Sequence, residues 1–259
     1  MNNVNLSDRL QQLLEQIPQG SRLADIGSDH ALLPVAAVMG GKAVFAVAGE
    51  VNPGPFAAAR KGVAEAGLGK VISVRRGDGL EVLEPGEVNC ITIAGMGGAL
   101  IASILERGQR QGKLKEVTTL VLQPNVGEDI LRRWLMNNHW VLIAESILEE
   151  DGKLYEVLTA VPENAAAGVT NDNVYRELTL GASSLVIGRE TLLQMGPWLL
   201  QAPNAVFVAK WQGEIQKLEG ILTSLSRSEL KSAEHKRKQI QVQIREIKEV
   251  LQCLPRDKQ

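Results

Sequence analysis

The sequence predicts an α/β protein in which a seven-stranded, mostly parallel sheet precedes a C-terminal helical hairpin. Between residues 22 and 161, short apolar runs alternate with helical stretches, a pattern typical of βαβ units with helices on both faces of a sheet. Only a turn centred on Asp151-Gly152 separates the last two apolar runs, which predicts an antiparallel pair there. From residue 207 onward the apolar spacing becomes that of long amphipathic helices.

The predicted elements follow one another in a simple order. Residues 6–17 carry apolar side chains at helical spacing, with Ser7 as N-cap and Pro18 as the stop. The strands are predicted at 22–26, 43–48, 71–75, 89–94, 118–122, 139–147 and 153–161. Seven strands that end in an antiparallel hairpin are the architecture of a class I (Rossmann-like) methyltransferase. Residues 163–173 lose the pattern and are predicted to form a linker.

Two apolar stripes predict the C-terminal hairpin. The first runs from Val208 to Leu225 and the second from Leu230 to Leu254, with Arg237 at the one position that lacks an apolar residue. A turn at residues 226–228 would join them into an antiparallel coiled coil. We therefore predict two domains, residues 1–162 with the sheet and residues 163–259 with the linker and the helical hairpin.

Composition excludes several classes of protein. Aromatic residues make up 3% of the chain, which argues against a base-stacking platform for single strands. No signal peptide opens the sequence and no apolar run approaches the roughly 18 residues that span a bilayer, so a cytoplasmic protein with no membrane partner is expected. Cys90 lies in an apolar run and is predicted to be a small buried hydrophobe, and no metal site is predicted.

Charge is distributed unevenly along the chain. Residues 1–162 carry a balance of −4, whereas residues 207–259 carry +4. A terminal surplus of positive charge suits an anionic partner. An arm for packing or dimerisation with a solvated charged face explains it equally well, so both interpretations stay open.

The most informative segment is residues 23–34, LADIGSDHALLP. It predicts a strand that ends at Asp25, a glycine turn, and the start of a helix, so that backbone N–H groups are exposed beside a carboxylate. Only Gly27 is a glycine between Ile26 and Pro34, so the G-x-G-x-x-G pattern of dinucleotide sites is missing. A cationic ligand with an amino-acid tail, S-adenosylmethionine (SAM), fits this segment better than NAD.

Acids recur at the tips of the first three strands. Asp25 is followed by Glu50, which can accept from both ribose hydroxyls, and by Asp78, which can accept from the exocyclic amine of adenine. Ligands of doubly wound sheets bind outside the carboxyl ends of the strands. The sequence therefore predicts a SAM pocket formed by Asp25, Gly27, Ser28, Glu50, Val51, Gly77, Asp78, Gly79, Gly95 and Met96.

Taken together, these segments resemble the bacterial tRNA adenine-N1-methyltransferases that act on an adenine in the D-arm. The resemblance rests on residues 25–34, 48–55, 77–79, 93–98, 122–125 and 149–153, and it continues through residues 196–211 into the predicted hairpin. Leu32 departs from the family, which usually has a tyrosine there, and we interpret this as a packing change. The resemblance implies SAM-dependent methyl transfer to N1 of an adenine in tRNA.

The implied reaction needs few catalytic groups, because adenine N1 has an in-plane lone pair that attacks the sulfonium methyl directly. Positioning and electrostatics then supply most of the acceleration. Asp29 is the predicted residue that orients the adenine amino group or takes its proton, and His30 its predicted helper. The alternatives are that Asp29 caps the following helix and that His30 is a packed, hydrogen-bonded residue.

Further residues are predicted to contact the tRNA itself. Gln123 and Asn125 carry amides suited to a base edge, and Pro124 stiffens the loop between them. Candidates for phosphate contacts are Arg60-Lys61, Arg75-Arg76, Arg132-Arg133 and Lys236-Arg237-Lys238, of which Arg133 is the predicted substrate-binding residue.

Three rival interpretations remain at this point. A small-molecule acceptor would leave the hairpin for dimerisation, and a non-catalytic SAM-binding scaffold would use it as an interaction module. A nicotinamide-dependent oxidoreductase ranks last, because its glycine fingerprint is missing. The oligomeric state stays open.

Overall fold

The computed structural model describes residues 5–180, 185–225 and 231–254. The chain forms two compact units that divide between Val174 and Tyr175. The sequence pattern placed the domain boundary between residues 162 and 163, where the sheet ends. Residues 163–174 instead belong to the first unit, with a 3₁₀ turn at Glu163–Ala165 and a short helix, α6 (Asn171–Val174), in place of much of the predicted linker.

One seven-stranded sheet organises the first unit. Its strands are β1 (Ser21–Ile26), β2 (Ala43–Glu50), β3 (Ile72–Arg76), β4 (Cys90–Gly97), β5 (Thr119–Val126), β6 (Trp140–Glu150) and β7 (Lys153–Pro162). They lie in the order β3-β2-β1-β4-β5-β7-β6, and β7 runs antiparallel to both of its neighbours. The predicted strands and the predicted antiparallel ending are confirmed. Strands β1 and β4 are parallel neighbours, with β2 and β3 added on the far side of β1 and β5 on the far side of β4. The carboxyl ends of β1 and β4 therefore flank the crevice in which such sheets bind ligands.

Helices connect the parallel strands. These connecting helices are α2 (Leu32–Met39), α3 (Pro53–Glu65), α4 (Gly98–Arg110) and α5 (Glu128–Asn137), and a further helix, α1 (Asp8–Gln16), precedes β1. The Ser7 hydroxyl accepts a hydrogen bond from the N–H of Leu10, which confirms the predicted N-cap of α1. The central strands are apolar and inaccessible to water on both faces, as in other parallel sheets; Leu23, Ile91 and Leu120 are examples.

The antiparallel end of the sheet is fixed by a tight turn and a buried ion cluster. Asp151 and Gly152 both have positive φ, 51° and 71°, as a type I′ hairpin turn requires. Arg132 of α5 is fully buried, where it pairs with Glu145 of β6 at 2.6 Å and with Glu156 of β7. Since no part of its side chain reaches solvent, Arg132 is not one of the phosphate contacts that the sequence suggested.

The second unit begins with a small antiparallel pair that the sequence pattern did not predict, β8 (Leu178–Leu180) and β9 (Leu185–Ile187). Two short helices follow, α7 (Arg189–Met195) and α8 (Pro197–Gln201), and then the long helices α9 (Ala205–Leu225) and α10 (Lys231–Cys253). The predicted helical hairpin is confirmed. Its predicted turn at residues 226–228 lies outside the described residues, as does Leu230.

Contacts between α9 and α10 show their antiparallel pairing and explain the interrupted stripe. Lys248 lies 2.8 Å from Glu219, while Arg237 donates to the carbonyl of Leu225 at the end of α9. Arg237 therefore replaces an apolar contact with a bond to a helix C-terminus, where a positive charge is favourable. The buried seam is formed by Phe207, Trp211, Ile215, Leu218, Ile240, Ile244, Ile247, Val250 and Leu254.

Two further findings concern the described parts of the chain. No helix there is both long and apolar enough to cross a membrane, and no three His, Cys, Asp or Glu side chains converge as a metal site would require.

Burial raises the pKa of the Cys90 thiol to about 12, so Cys90 remains protonated and packs as a small hydrophobe, as predicted.

Candidate functional site

The turn after β1 is bound to the tip of β2. The backbone N–H groups of Gly27 and Ser28 both donate to the carbonyl of Gly49, at 2.9 and 3.0 Å. Gly27 has φ 77°, and a Cβ atom at this position would overlap the terminal methyl of Met96 from β4. The left-handed backbone favours glycine at this position, and Met96 packs closely against it. The predicted cofactor residues Gly27, Ser28 and Met96 lie together.

Two carboxylates are buried at adjacent strand tips. Asp25 and Glu50 are each only 7% exposed. Burial raises the pKa of Asp25 and the nearby charge of Glu50 adds to the effect, while a 2.6 Å hydrogen bond from the Thr92 hydroxyl opposes it. One carboxylate oxygen of Glu50 accepts a hydrogen bond from the backbone N–H of Asn52 at 2.8 Å. Two buried acids this close favour a ligand that brings a positive charge or hydroxyl donors.

The third acid is more open and is already paired. Asp78, beyond β3, is half exposed and receives a 2.8 Å hydrogen bond at Oδ2 from Arg107 of α4. The neighbouring Gly77 donates its N–H to the carbonyl of Glu50, which ties the tips of β2 and β3 together. Gly79 begins a 3₁₀ turn with φ 56°, and Val51 is exposed at the rim. The Oδ1 atom of Asp78 is thus available for an adenine amine.

Asp29 and His30 lie in the open, four and five residues beyond Asp25. Their side chains are 75% and 61% exposed, and His30 Nε2 lies 3.4 Å from Asp29 Oδ1. The N-cap of α2 is Ala31, with no side-chain hydrogen bond, so the alternative that Asp29 caps this helix is wrong. The alternative of a packed His30 is wrong too, because its ring faces solvent.

The backbone around this pair is unusual. His30 and Ala31 have φ values of 57° and 55°, a left-handed conformation that is unfavourable for residues with side chains. The segment is held by α3, where a Cβ atom on Gly62 would lie 2.9 Å from the carbonyl oxygen of His30. A glycine in α3 therefore lets the strained turn pack closely, and the packing keeps the two polar side chains outside.

The tips of β4 and β5 are joined by side-chain amides. The Oε1 atom of Gln123 accepts from Arg9 Nη1 at 2.9 Å and from the N–H of Gly95 at 3.1 Å. Its Nε2 donates to the carbonyl of Pro124 and to Asn125 Oδ1. A carboxamide has two donor hydrogens and two acceptor lone pairs. Gln123 is fully buried and all four are used, so it can serve a substrate only through Asn125.

Asn125 presents the exposed end of this group. Pro124 is buried beside Gln123, whereas Asn125 is exposed and donates from Nδ2 to the carbonyl of Gly95 at 2.8 Å. The structure therefore brings the predicted residues Gly95, Gln123, Pro124 and Asn125 into one hydrogen-bonded loop at the edge of the sheet.

Sequence reasoning missed Arg9 on α1, the residue that completes this loop. Its side chain is 24% exposed; its guanidinium lies over the ring of Tyr155 at 5.4 Å, and its backbone N–H donates to Glu150. Arginines on the polar side of an amphipathic helix usually extend into solvent, so no signal in the sequence set Arg9 apart.

The predicted phosphate contacts are scattered. Arg75 forms a two-pronged pair with Glu87, and Arg60 lies over the ring of Phe56. Lys238 pairs with Glu234, and the predicted substrate residue Arg133 is half-buried on α5. Arg75 and Lys238 are thus each paired with a carboxylate, and Arg60 lies against an aromatic ring.

Comparison with known proteins gives consistent matches along the chain. Residues 23–249 match the family described as tRNA (adenine(22)-N(1))-methyltransferase. The enzyme of that name from Bacillus subtilis is 46% identical over 252 residues, which is 97% of this chain and 99% of the enzyme.

Solved structures extend the likeness. The crystal structure of the B. subtilis M1A22 tRNA methyltransferase TrmK superposes with a TM-score of 0.84 and 43% identity, covering 96% of this chain and 99% of that one. A Streptococcus pneumoniae protein, a putative tRNA (m1A22) methyltransferase in complex with S-adenosyl-L-methionine, superposes with a TM-score of 0.78 and 40% identity, covering 95% and 100%.

Proposed function

The chain belongs to the tRNA (adenine(22)-N(1))-methyltransferase family, and we propose that its target is the adenine at position 22 of tRNA. The predicted family, the SAM cofactor and methyl transfer to N1 of a tRNA adenine are confirmed by the family match and the relatives. The family match supports position 22, and the row of acids at the tips of β1, β2 and β3, beside an open polar pair at Asp29 and His30, is the observation that carries SAM-dependent methyl transfer.

The residues at these strand tips fit SAM. Asp25 and Glu50 supply buried negative charge and acceptors for an amino group and for ribose hydroxyls, and Asp78 retains one carboxylate oxygen for the adenine amine. The bend at Gly27 leaves room for a ligand against the backbone. We propose the full predicted set as cofactor residues: Asp25, Gly27, Ser28, Glu50, Val51, Gly77, Asp78, Gly79, Gly95 and Met96.

The chain's own residues act on the target base. When bound, SAM supplies an electrophilic methyl group on its sulfonium sulfur. Asp29 orients the adenine through its amino group, so that the N1 lone pair faces that methyl. Once N1 has gained the methyl and become cationic, the Asp29 carboxylate stabilises the positive charge and takes a proton from the amino group. His30, 3.4 Å from Asp29, holds that carboxylate in place.

The substrate is a folded tRNA, which sets two further requirements. The target base has to leave its stack, which requires a few kcal/mol. Contacts to phosphates offset this, and we assign them to Arg133 and to exposed basic residues of α10. We propose the cytoplasm as the compartment, since tRNA is the substrate.

The experiment is to incubate the protein with labelled SAM and tRNA that lacks the modification, and then to map the methylated nucleotide. We expect one methyl per tRNA, on N1 of adenine 22, and none when that adenine is replaced by guanine. Label that enters a small molecule when tRNA is omitted would support the small-molecule alternative. SAM binding without turnover on any RNA would support the scaffold alternative.

A further inference from the structure

The orientation of the amides at the tips of β4 and β5 is dictated by groups that have only one hydrogen-bonding role. Arg9 and the N–H of Gly95 can only donate, so the atom of Gln123 that they share has to be its oxygen. The nitrogen of Gln123 then faces the carbonyl of Pro124 and Asn125. The carbonyl of Gly95 can only accept, so it fixes the nitrogen of Asn125 in the same way. If either amide were flipped, donors would face donors and acceptors would face acceptors.

This chain of bonds leaves Asn125 with one free donor and one free acceptor. Its oxygen already accepts from Gln123, and its nitrogen already gives one hydrogen to Gly95. One lone pair on Oδ1 and one hydrogen on Nδ2 remain on an exposed side chain. An asparagine that offers both groups on one edge of its amide plane pairs in two-pronged fashion with N6 and N7 of adenine, and we assign the two free groups of Asn125 to that edge.

We propose that Asn125 recognises the target adenine on its N6/N7 edge, and that Arg9 is the positioning residue that holds Asn125 in the required orientation. This inference rests on the proposed function. The reaction itself requires this edge, because the N1 lone pair attacks the methyl and therefore has to stay free of hydrogen bonds. The amino group carries two hydrogens, of which the one beside N7 meets Asn125 and the one beside N1 meets Asp29.

The same arrangement explains rejection of guanine. Guanine presents O6 and N7, which are two acceptors, so the Asn125 oxygen would face another oxygen. Its N1 also carries a hydrogen rather than a free lone pair.

Arg9 acts on Asn125 through Gln123. Its guanidinium is held in turn by the Tyr155 ring and by Glu150, whose Oε2 lies 4.0 Å from Arg9 Nε. This support comes from α1 and from both strands of the antiparallel pair, so the loop of β5 is braced from outside the SAM-binding strands. Loss of Arg9 removes one of the two donors that fix the Gln123 oxygen and so weakens the constraint on both amides, although the bonds to Gly95 and Pro124 remain.

The test uses tRNA assembled with 7-deazaadenine at the target position, which replaces N7 by a C–H group and retains the amine and N1. For the wild-type protein we expect kcat/KM to be about tenfold lower on this tRNA than on the adenine form. Asn125→Ala should be slower on adenine and should lose this discrimination, with a ratio near one. Asn137→Ala, an exposed asparagine at the end of α5, is the matched control and should keep the wild-type ratio. Any intrinsic effect of the C–H group on N1 reactivity is common to all variants and cancels in the comparison.

A second pair of variants tests the positioning role of Arg9. Arg9→Met should also bring the ratio towards one, whereas Arg22→Met, a change at an exposed arginine of β1, should not. A variant that only lost stability would keep the wild-type ratio among its folded molecules. Equal use of both tRNAs by the wild type, or full discrimination by Asn125→Ala, would overturn the inference. Failure of the wild type to methylate the adenine form would instead contradict the proposed function.

Discussion

Asp25 and Asp29 are four residues apart in sequence and lie in opposite environments. Asp25 is 7% exposed, its pKa is raised by burial, and the Thr92 hydroxyl bonds to it. The side chain of Asp29 is 75% exposed, and its one polar contact among the described residues is with His30. The proposed cofactor side of the site is therefore built before any ligand arrives, whereas the proposed acceptor side is open to solvent.

The backbone around Asp25 also differs from the backbone that follows Asp29. Residues 25–28 are tied to β2 and β4 by strand pairing and by the bonds to Gly49. The next residues, His30 and Ala31, are held in a left-handed conformation by packing against α3. A small ligand that must be enclosed and a tRNA that must enter place different demands on the chain, and Gly27 separates the two regions.

The largest expected effect is on the open side. Asp29→Ala removes the carboxylate that orients the base and stabilises its cationic product, so kcat should fall by about 100-fold. SAM affinity, measured by calorimetry on the same preparation, should stay within about twofold, because Asp29 lies outside the buried acids. Full activity of the folded variant would mean that the exposed acid has no part in the reaction.

The second effect falls on the enclosed side. Glu50→Ala should remove the acceptor for the ribose hydroxyls, each such bond being worth about 1–3 kcal/mol, and weaken SAM binding by about 30-fold. Turnover at saturating SAM should change far less, which is the reverse of the pattern for Asp29→Ala. The Oε1 atom of Glu50 also accepts from the N–H of Asn52, so a thermal unfolding curve is the necessary control. An unchanged SAM dissociation constant in the folded variant would remove Glu50 from the pocket.

The sequence predicted the two regions unequally well, for a physical reason. Strand ends and the turn at Asp151-Gly152 are local properties, set by side-chain period and by the positive φ that the turn needs. The acids at the strand tips could be assigned to one site, because parallel strands bring their carboxyl ends to the same edge of the sheet.

What the sequence could not show are the partners that arrive from other elements. Thr92 and Arg107 bond to Asp25 and Asp78, and Arg9 bonds to Gln123, from positions that no motif connects. Gln123 and Asn125 looked equivalent as base-edge residues. Only the hydrogen-bond pattern shows that the first amide is consumed by the protein and the second is free to bind a base.

A third experiment measures how burial of the Asp25 carboxyl affects the stability of the fold. A carboxyl whose pKa is raised on folding holds its proton more tightly in the folded state. Its contribution to stability is therefore complete below the pKa of the unfolded chain and is lost as pH rises through the folded value. Asp25→Asn mimics the protonated form at every pH, and the Thr92 hydroxyl can still donate to its oxygen. We expect this variant to be more stable than the wild type by about 1 kcal/mol at pH 7, with the difference shrinking as pH falls towards 4.

Urea unfolding at several pH values measures this difference. Asp29→Asn is the matched control, because it makes the same chemical change four residues later at an exposed position, and its unfolding free energy should follow the wild type throughout. Lower stability of Asp25→Asn at pH 7 would contradict the expectation that burial dominates the environment of Asp25.

The smallest expected effect concerns how tRNA is retained while it covers the open side. Lys236 and Arg245 are exposed on α10, within a segment whose charge balance is +4. Contacts of this kind release counterions, so the slope of log affinity against log salt falls by about 0.7–0.9 for each one lost. The double variant Lys236→Gln/Arg245→Gln should bind tRNA a few-fold more weakly and lower that slope by about 1.5, with SAM binding unchanged. Glu246→Gln/Glu249→Gln, which removes two exposed negative charges from the same helix, should leave the slope as it is. If the basic variant keeps the wild-type slope, these two side chains do not bind phosphate, and the alternative of the hairpin as a packing or dimerisation arm gains support.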